Sequence, residues 1–376
     1  MLRPAAAIAD TPLGGQSLGL DGLRRRIYRL VAGTVLAQAT WVMLAIIIYG
    51  SLQPSHMADF HVMRDAAREI LQGRSGGFVY PPPAAFLLIP LTLLPYTVAA
   101  AIWIALILTS TSLVLYVLGV RDWRCHALTL LAASSVAVVT SGSLSSFLAL
   151  GTALLWRYRD RRWVAGLVVG AVVVAKLYLW PLLVWLVAVR RARTAALGFV
   201  TAAGLAFVGW AITGFAGLTN YPHRVSSVAS LEQGRSYSPV ALALSLGAPT
   251  RLGDLFAVVL GFALLAGAFR EARRPDGDRR SFVLAIAATF AFSPISWLHY
   301  FVLLAVPIAL TSPALAPVWA LPLGFWALPM KSGGVLWHIV LAWALGFAIL
   351  AGTLRGRREE GRRYVRATVF SPRASQ

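Results

Sequence analysis

"YTVAAAIWIALILTSTSLVLYVLGV", residues 96–120, contains no charged side chain. An α-helix rises about 1.5 Å per residue, so about 20 apolar residues cross the hydrocarbon of a bilayer. This run is long enough to do so, and Leu30–Gly50 and Val335–Thr353 repeat the pattern. Around them, hydrophobic residues make up 58% of the 376-residue chain and charged residues only 13%. Soluble domains carry about twice that charged share. With a mean hydropathy of +0.72, the chain is expected to be an all-α polytopic membrane protein, not a soluble enzyme with an anchor.

The net charge of +20 raises the question of nucleic acid. The arginines, however, fall in short clusters between apolar runs, the pattern of loops facing anionic cytoplasmic lipid, with no basic face interleaved with aromatics. No nucleic-acid partner is expected; the lipid bilayer is. Cys125 is the single cysteine, which excludes a disulfide framework and a four-thiolate metal site. Leu2–Asp21 is too polar for a cleavable signal, and Arg24, Arg25, Arg26 and Arg29 precede a span too long for a signal core. The organisation expected is a disordered cytoplasmic end (1–23), one transmembrane domain (24–353, with a first outer loop at 51–95) and a basic cytoplasmic tail (354–376).

Six clusters (Arg24–Arg29, Arg121/Arg124, Arg157–Arg162, Arg190–Arg193, Arg270–Arg280 and Arg355–Arg366) sit on one side if the chain crosses about twelve times. The segments are 30–50, 96–119, 127–140, 144–156, 163–175, 177–189, 194–214, 252–269, 281–293, 298–311, 314–329 and 334–353, with both termini cytoplasmic. Several are short and are expected to stop at an aqueous cavity. Ala84–Leu94, after Pro81, Pro82 and Pro83, becomes a re-entrant or interfacial helix on the outer side. The same count turns outward both lysines (Lys176 and Lys331), His56, His61, His223 and His299, and the acids Asp59, Asp65, Glu69 and Glu232, with Asp254 at the boundary.

In "MADFHVMRDAAREILQG" (57–73), Phe60, Met63, Ala67 and Ile70/Leu71 recur at helical spacing against His61, Arg64, Asp65, Arg68 and Glu69. The segment is expected to be an outer amphipathic helix ending at Gly73. Asp59 at its start has two readings: an N-cap, or a general base that takes a proton from an acceptor hydroxyl. His56, Asp59 and His61 lack a further acid ligand, and no metal is expected.

The order of elements resembles glycosyltransferase family 87. An aspartate follows the first span, then "AAREILQG" and "FVYPPPAAFLLIPLTLLP" (78–95). "RDRRWVAGLVVGAVVVAKLYLWPLLVWLVAVRRAR" (159–193) is similar to the family's basic loop and Lys-x-x-x-x-Pro stretch, and "FSPISWLHYFVLLAVP" (292–307) to its Ser-Pro-x-x-Trp-x-His-Tyr turn. The resemblance spans roughly residues 25–350. Where the family commonly shows a Gly-Gln-x-Asn-like turn, this chain has "TSGSLSSF" (140–147). The resemblance implies a type C bundle and an actinobacterial-type mannosyltransferase. Its donor is a polyprenyl-phosphate-linked sugar, its acceptor an envelope glycolipid or glycan, and its inverting transfer needs no cofactor. Its setting is the bacterial plasma membrane, with the site on the extracytoplasmic side.

Within that frame Asp59 and His299 are the candidate catalytic residues, and Lys176 and Arg64 the candidates for the donor phosphate. Tyr80, Tyr178, His223, Arg224, Trp297 and Tyr300 are the candidate substrate contacts. Each keeps a plainer reading. Lys176 at a helix end would snorkel to the outer interface; His299 would be a packed core histidine; Trp180 and its neighbours would be interfacial aromatics; the loop charges would be solvated. A polytopic transporter or a flippase for lipid-linked sugars is the rival function, since broken helices and intramembrane charge occur there too.

Overall fold

The computed structural model describes residues 17–53, 55–73, 81–330, 333 and 335–355, with side chains from residue 31 onward. Tyr80, Lys331 and most of the two expected tails lie outside the described residues. All regular structure among the described residues is helical. That is what an apolar solvent demands, because a helix satisfies its own backbone donors and acceptors.

In chain order the elements are α1 (Ser17–Ser51), α2 (Ala58–Leu71), α3 (Pro82–Phe86), α4 (Ile89–Thr92), α5 (Tyr96–Val117), α6 (Trp123–Leu131), α7 (Ala133–Ser141), α8 (Ser145–Arg157), α9 (Arg162–Ala175), α10 (Pro181–Ala188), α11 (Ala192–Ile212), α12 (Tyr221–Glu232), α13 (Pro239–Ser245), α14 (Thr250–Ala272), α15 (Gly277–Phe292), α16 (Ala305–Thr311) and α17 (Leu336–Arg355). Among the described residues, five stretches are long and apolar enough to cross a membrane: Val31–Ser51 of α1, and α5, α11, α14 and α17. The pair α6–α7, bent by 60° at Ala132, would make a sixth.

Each of the twelve expected intervals falls on helix, but not always α-helix. Residues 317–327 form a 3-10 helix carrying Pro317 and Pro322, and residues 298–304 form another before α16. A proline inside a helix removes a donor and clashes with the preceding turn, so Pro322 disfavours continuous α-helix there. The expected helix over Ala84–Leu94 is two short helices, α3 and α4, divided around Leu87 and Leu88.

The bundle is drawn tight where α9 crosses α11. A Cβ on Gly170 would lie 2.6 Å from the Gly198 carbonyl oxygen, and one on Gly198 would lie 2.5 Å from Val169 Cγ1. Small residues permit such backbone approach, and dispersion is what holds helices together when lipid is as apolar as the side chains.

Charge divides the two ends of the bundle. At one end Arg191 donates to Asp160 (2.7 Å) and Asp278 (3.1 Å), and Arg279 donates to the Thr353 carbonyl (3.1 Å). These contacts gather the arginine clusters after α8, α10 and α14, with the C-terminal end of α17, into one basic face. The Arg124 guanidinium, which forks onto Asp122, holds that carboxyl down to about 2. The opposite end collects the start of α2, the α7–α8 turn, the α9–α10 junction and the loop after α15.

Candidate active site

The site starts from a backbone reversal. Met57 takes the left-handed conformation (φ 61°) immediately before α2, and its N–H donates to the Thr140 carbonyl (3.1 Å). Asp59 is therefore the second residue inside the helix. The N-cap reading is corrected: Met57 occupies that position, and no side chain caps the helix. The apolar stripe is buried as its spacing predicts, through Phe60, Met63, Ala67 and Ile70, while Leu71 stays exposed. Gly142 (φ 70°) closes the α7–α8 turn against this helix: a Cβ there would sit 2.5 Å from Phe60 Cβ. The Trp103 indole donates to the Gly142 carbonyl (2.9 Å) and so fixes the turn from behind.

Lys176 lies between α9 and α10, where the chain extends (φ −148°, ψ 109°) before a 3-10 turn at Leu177–Leu179 and the helix-opening Pro181. Its side chain is turned inward and is 5% exposed. The ammonium lies 4.0 Å from the centre of the Tyr300 ring, a cation–π distance. Tyr300 stacks on Tyr178, with centroids 5.0 Å apart and the rings 5° from parallel. Burial pulls the Lys176 pKa down from 10.5 to about 8, and the Asp59 carboxylate pulls it back up. His299, 7% exposed, brings Nε2 to 3.8 Å from Asp59 Oδ2 and sets its ring edge-on to Tyr300.

Asp59, Lys176, His299, Tyr178 and Tyr300 thus meet at one end of the bundle, from three separate segments of chain. Trp297, half-buried, lies two residues before His299. The remaining candidates stand apart. Arg64, five residues after Asp59, is buried and donates to the carbonyls of Leu91 and Leu94, so it ties α2 to the end of α4. It is not in a solvated ion pair; Arg68 makes that pair, with Asp65 at 3.2 Å. His223 and Arg224 belong to α12, a helix with no buried residue. Tyr80 lies outside the described residues.

Sequence reasoning missed the supports of the site. Ser296, inside the turn that carries His299, accepts the Tyr237 N–H at its carbonyl (2.7 Å). Met57, Thr140 and Gly142 were equally silent. The glycine in "TSGSL" signals a turn, but nothing in the sequence says that the turn receives α2.

A half-buried carboxylate, an imidazole at 3.8 Å and a buried ammonium form a polarised spot walled by two phenol rings. Such a set can accept a proton at Asp59 and hold an anion at Lys176. Among the described residues no three His, Cys, Asp or Glu side chains gather, and the ammonium would repel a metal cation here. The sequence matches the family described as glycosyltransferase family 87 over residues 78–294, more than half of the chain. No curated protein and no solved structure matches.

Proposed function

Because the chain belongs to glycosyltransferase family 87, we propose that Asp59 is the general base of an inverting sugar transfer from a polyprenyl-phosphate donor, with Lys176 holding the departing phosphate. Membership makes the protein a membrane glycosyltransferase; the roles, the donor and the side are the proposal. Asp59 takes the proton from an acceptor hydroxyl as its oxygen attacks the anomeric carbon. The bond from that carbon to the phosphate oxygen breaks, and the electron pair leaves with polyprenyl phosphate. A single displacement from the opposite face inverts the anomeric centre. Lys176 stabilises the charge that grows on the phosphate oxygen, the step at which preorganised charge accelerates transfer most. His299, beyond hydrogen-bond length from Asp59 in this structure, orients the acceptor or the carboxylate.

The observation that carries this reading is the meeting of Asp59, Lys176 and His299 at the end away from the arginine face. The basic face suits the cytoplasm, which puts the reacting end outside, where a donor tail anchored in lipid presents its phosphate at headgroup level. The sugar proposed is mannose and the acceptor an envelope glycolipid or glycan, both on the family resemblance alone.

The test uses purified protein in detergent, radiolabelled polyprenyl-phosphate-mannose and a glycolipid acceptor. Transfer is expected, and Asp59→Asn is expected to slow it by about 10²–10⁴-fold with donor binding intact. Since Met57, not Asp59, holds the N-cap position, the amide keeps shape and hydrogen-bonding capacity while removing the basicity and the negative charge. A variant rate within threefold of wild type would mean that the base lies elsewhere.

A further inference from the structure

We infer that the left-handed turn at Met57, clamped by Gly142, positions the Asp59 carboxylate, so that Met57 and Gly142 are positioning residues for the proton transfer. The inference rests on the reading of Asp59 as the base.

Four non-glycine residues among those described have positive φ: Met57, Arg190, Phe215 and Asp276. The last three are exposed, and exposed turns can relax. Met57 is 1% exposed. A left-handed conformation crowds Cβ against the backbone, and such strain persists only where the surroundings over-determine it. The surroundings do so here. The Met57 N–H is held by Thr140, and its carbonyl accepts the His61 N–H at 3.0 Å, which starts α2. A Cβ on Gly142 would lie 3.1 Å from Met57 Cε and from the Phe60 nitrogen, and closer still to Phe60 Cβ. The residues two before and one after Asp59 are therefore both locked onto one turn, and that turn is pinned by Trp103.

The consequence is directional. Asp59 faces His299 across 3.8 Å because the chain reverses at residue 57 and cannot slide along the α7–α8 turn. A base displaced by about 1 Å loses about 10²-fold in rate while substrate binding elsewhere is untouched. Strain at Met57 thus serves the kinetics of transfer and leaves donor affinity alone.

Alanine and glycine at position 57 both delete the methionine side chain and create the same cavity. They differ in one respect: glycine adopts φ 61° without a Cβ penalty. Met57→Gly is expected to keep a kcat at least tenfold above that of Met57→Ala, with donor KM values within twofold of each other. Gly142→Ala is expected to lower kcat by about 10²-fold at unchanged donor KM. Rates are taken per donor-binding-competent molecule, so partial misfolding does not enter. Should Met57→Ala fail to fold altogether, Met57→Asn, which tolerates the left-handed region, takes its place and is expected to fall between glycine and wild type.

Equal kcat for the glycine and alanine variants, or alanine above glycine, overturns the inference, as does a Gly142→Ala enzyme with wild-type kcat. Asp59→Asn separates this failure from the other. If that variant is inactive while the position-57 variants are equal, the positioning device alone is wrong. If it is active, the base assignment itself is wrong.

Discussion

A lysine inside "VVVAKLYLWP" (172–181) is an expensive residue, because desolvation penalises its charge and the apolar neighbours offer nothing in return. The site around it explains how the cost is met. Asp59 stabilises the ammonium, and the Tyr300 face, itself backed by Tyr178, lies beneath it. Because its pKa of about 8 is below the free value of 10.5, the charged form costs folding stability. That cost is fully present below about pH 8 and is relieved as the pH climbs to the free value. Phosphate binding has the opposite sign: it needs the ammonium and weakens as pH rises through 8. Lys176→Gln is therefore expected to raise the donor KM by at least tenfold near neutral pH, as loss of a charge-assisted contact worth roughly 1.5–3 kcal/mol implies. Its donor KM should also lose the alkaline rise of wild type. Initial rates across pH 6.5–9.5 would check this; a donor KM and pH profile equal to wild type would leave Lys176 a structural cation. Lys176, Asp59 and His299 were legible because charge among apolar residues is conspicuous. Met57 and Gly142 were not, since a methionine in a left-handed turn has no sequence signature.

Elements were legible to the extent that hydrophobic length sets them. The long apolar helices announce themselves by apolar runs, and the ends of several shorter helices by the arginines between. What escaped was helix type: Pro322 inside residues 317–327 and the 3-10 path of residues 298–304 depend on how these segments wedge between α7 and α17. Pairing of elements was hidden as well, because small residues mark an interface without naming the partner. On α11 two glycines make a direct comparison. A Cβ at Gly198 would meet Val169 and Leu183 at 2.5 and 2.8 Å, whereas one at Gly204 would have no neighbour within 4 Å. Gly198→Ala is expected to destabilise by about 1–3 kcal/mol through overpacking. Gly204→Ala is expected to be neutral or to gain up to about 1 kcal/mol of helix propensity. Thermal unfolding in one detergent orders the two; equal midpoints would show that α9 and α11 do not meet at these glycines.

At the scale of the whole molecule the question is which end faces the cytoplasm. The face built by Arg159, Arg191 and Arg279 is linked by ion pairs and a carbonyl contact across loops that are far apart in sequence. The opposite end holds Asp59 and Lys176. The bias of arginine and lysine in short loops sets orientation during insertion, and here the ion pairs bring the Arg157–Arg162, Arg190–Arg193 and Arg270–Arg280 clusters onto a single face. Cysteine accessibility tests the assignment with little background, since Cys125 is buried. Gln72 and Gly234 are exposed beyond the α2 and α12 segments, and Arg157 and Pro275 are exposed on the arginine face. In whole cells, a membrane-impermeant maleimide is expected to label Gln72→Cys and Gly234→Cys, and to label Arg157→Cys and Pro275→Cys only after permeabilisation. The four positions answer jointly. Inversion of the whole pattern would move Asp59 and Lys176 to the cytoplasmic leaflet, and a donor presented outside could not reach them. A mixed pattern, with Arg157 and Pro275 on different sides, would contradict the Arg159–Asp278 and Arg191–Asp278 contacts, because a single ion-paired face cannot be divided by a bilayer.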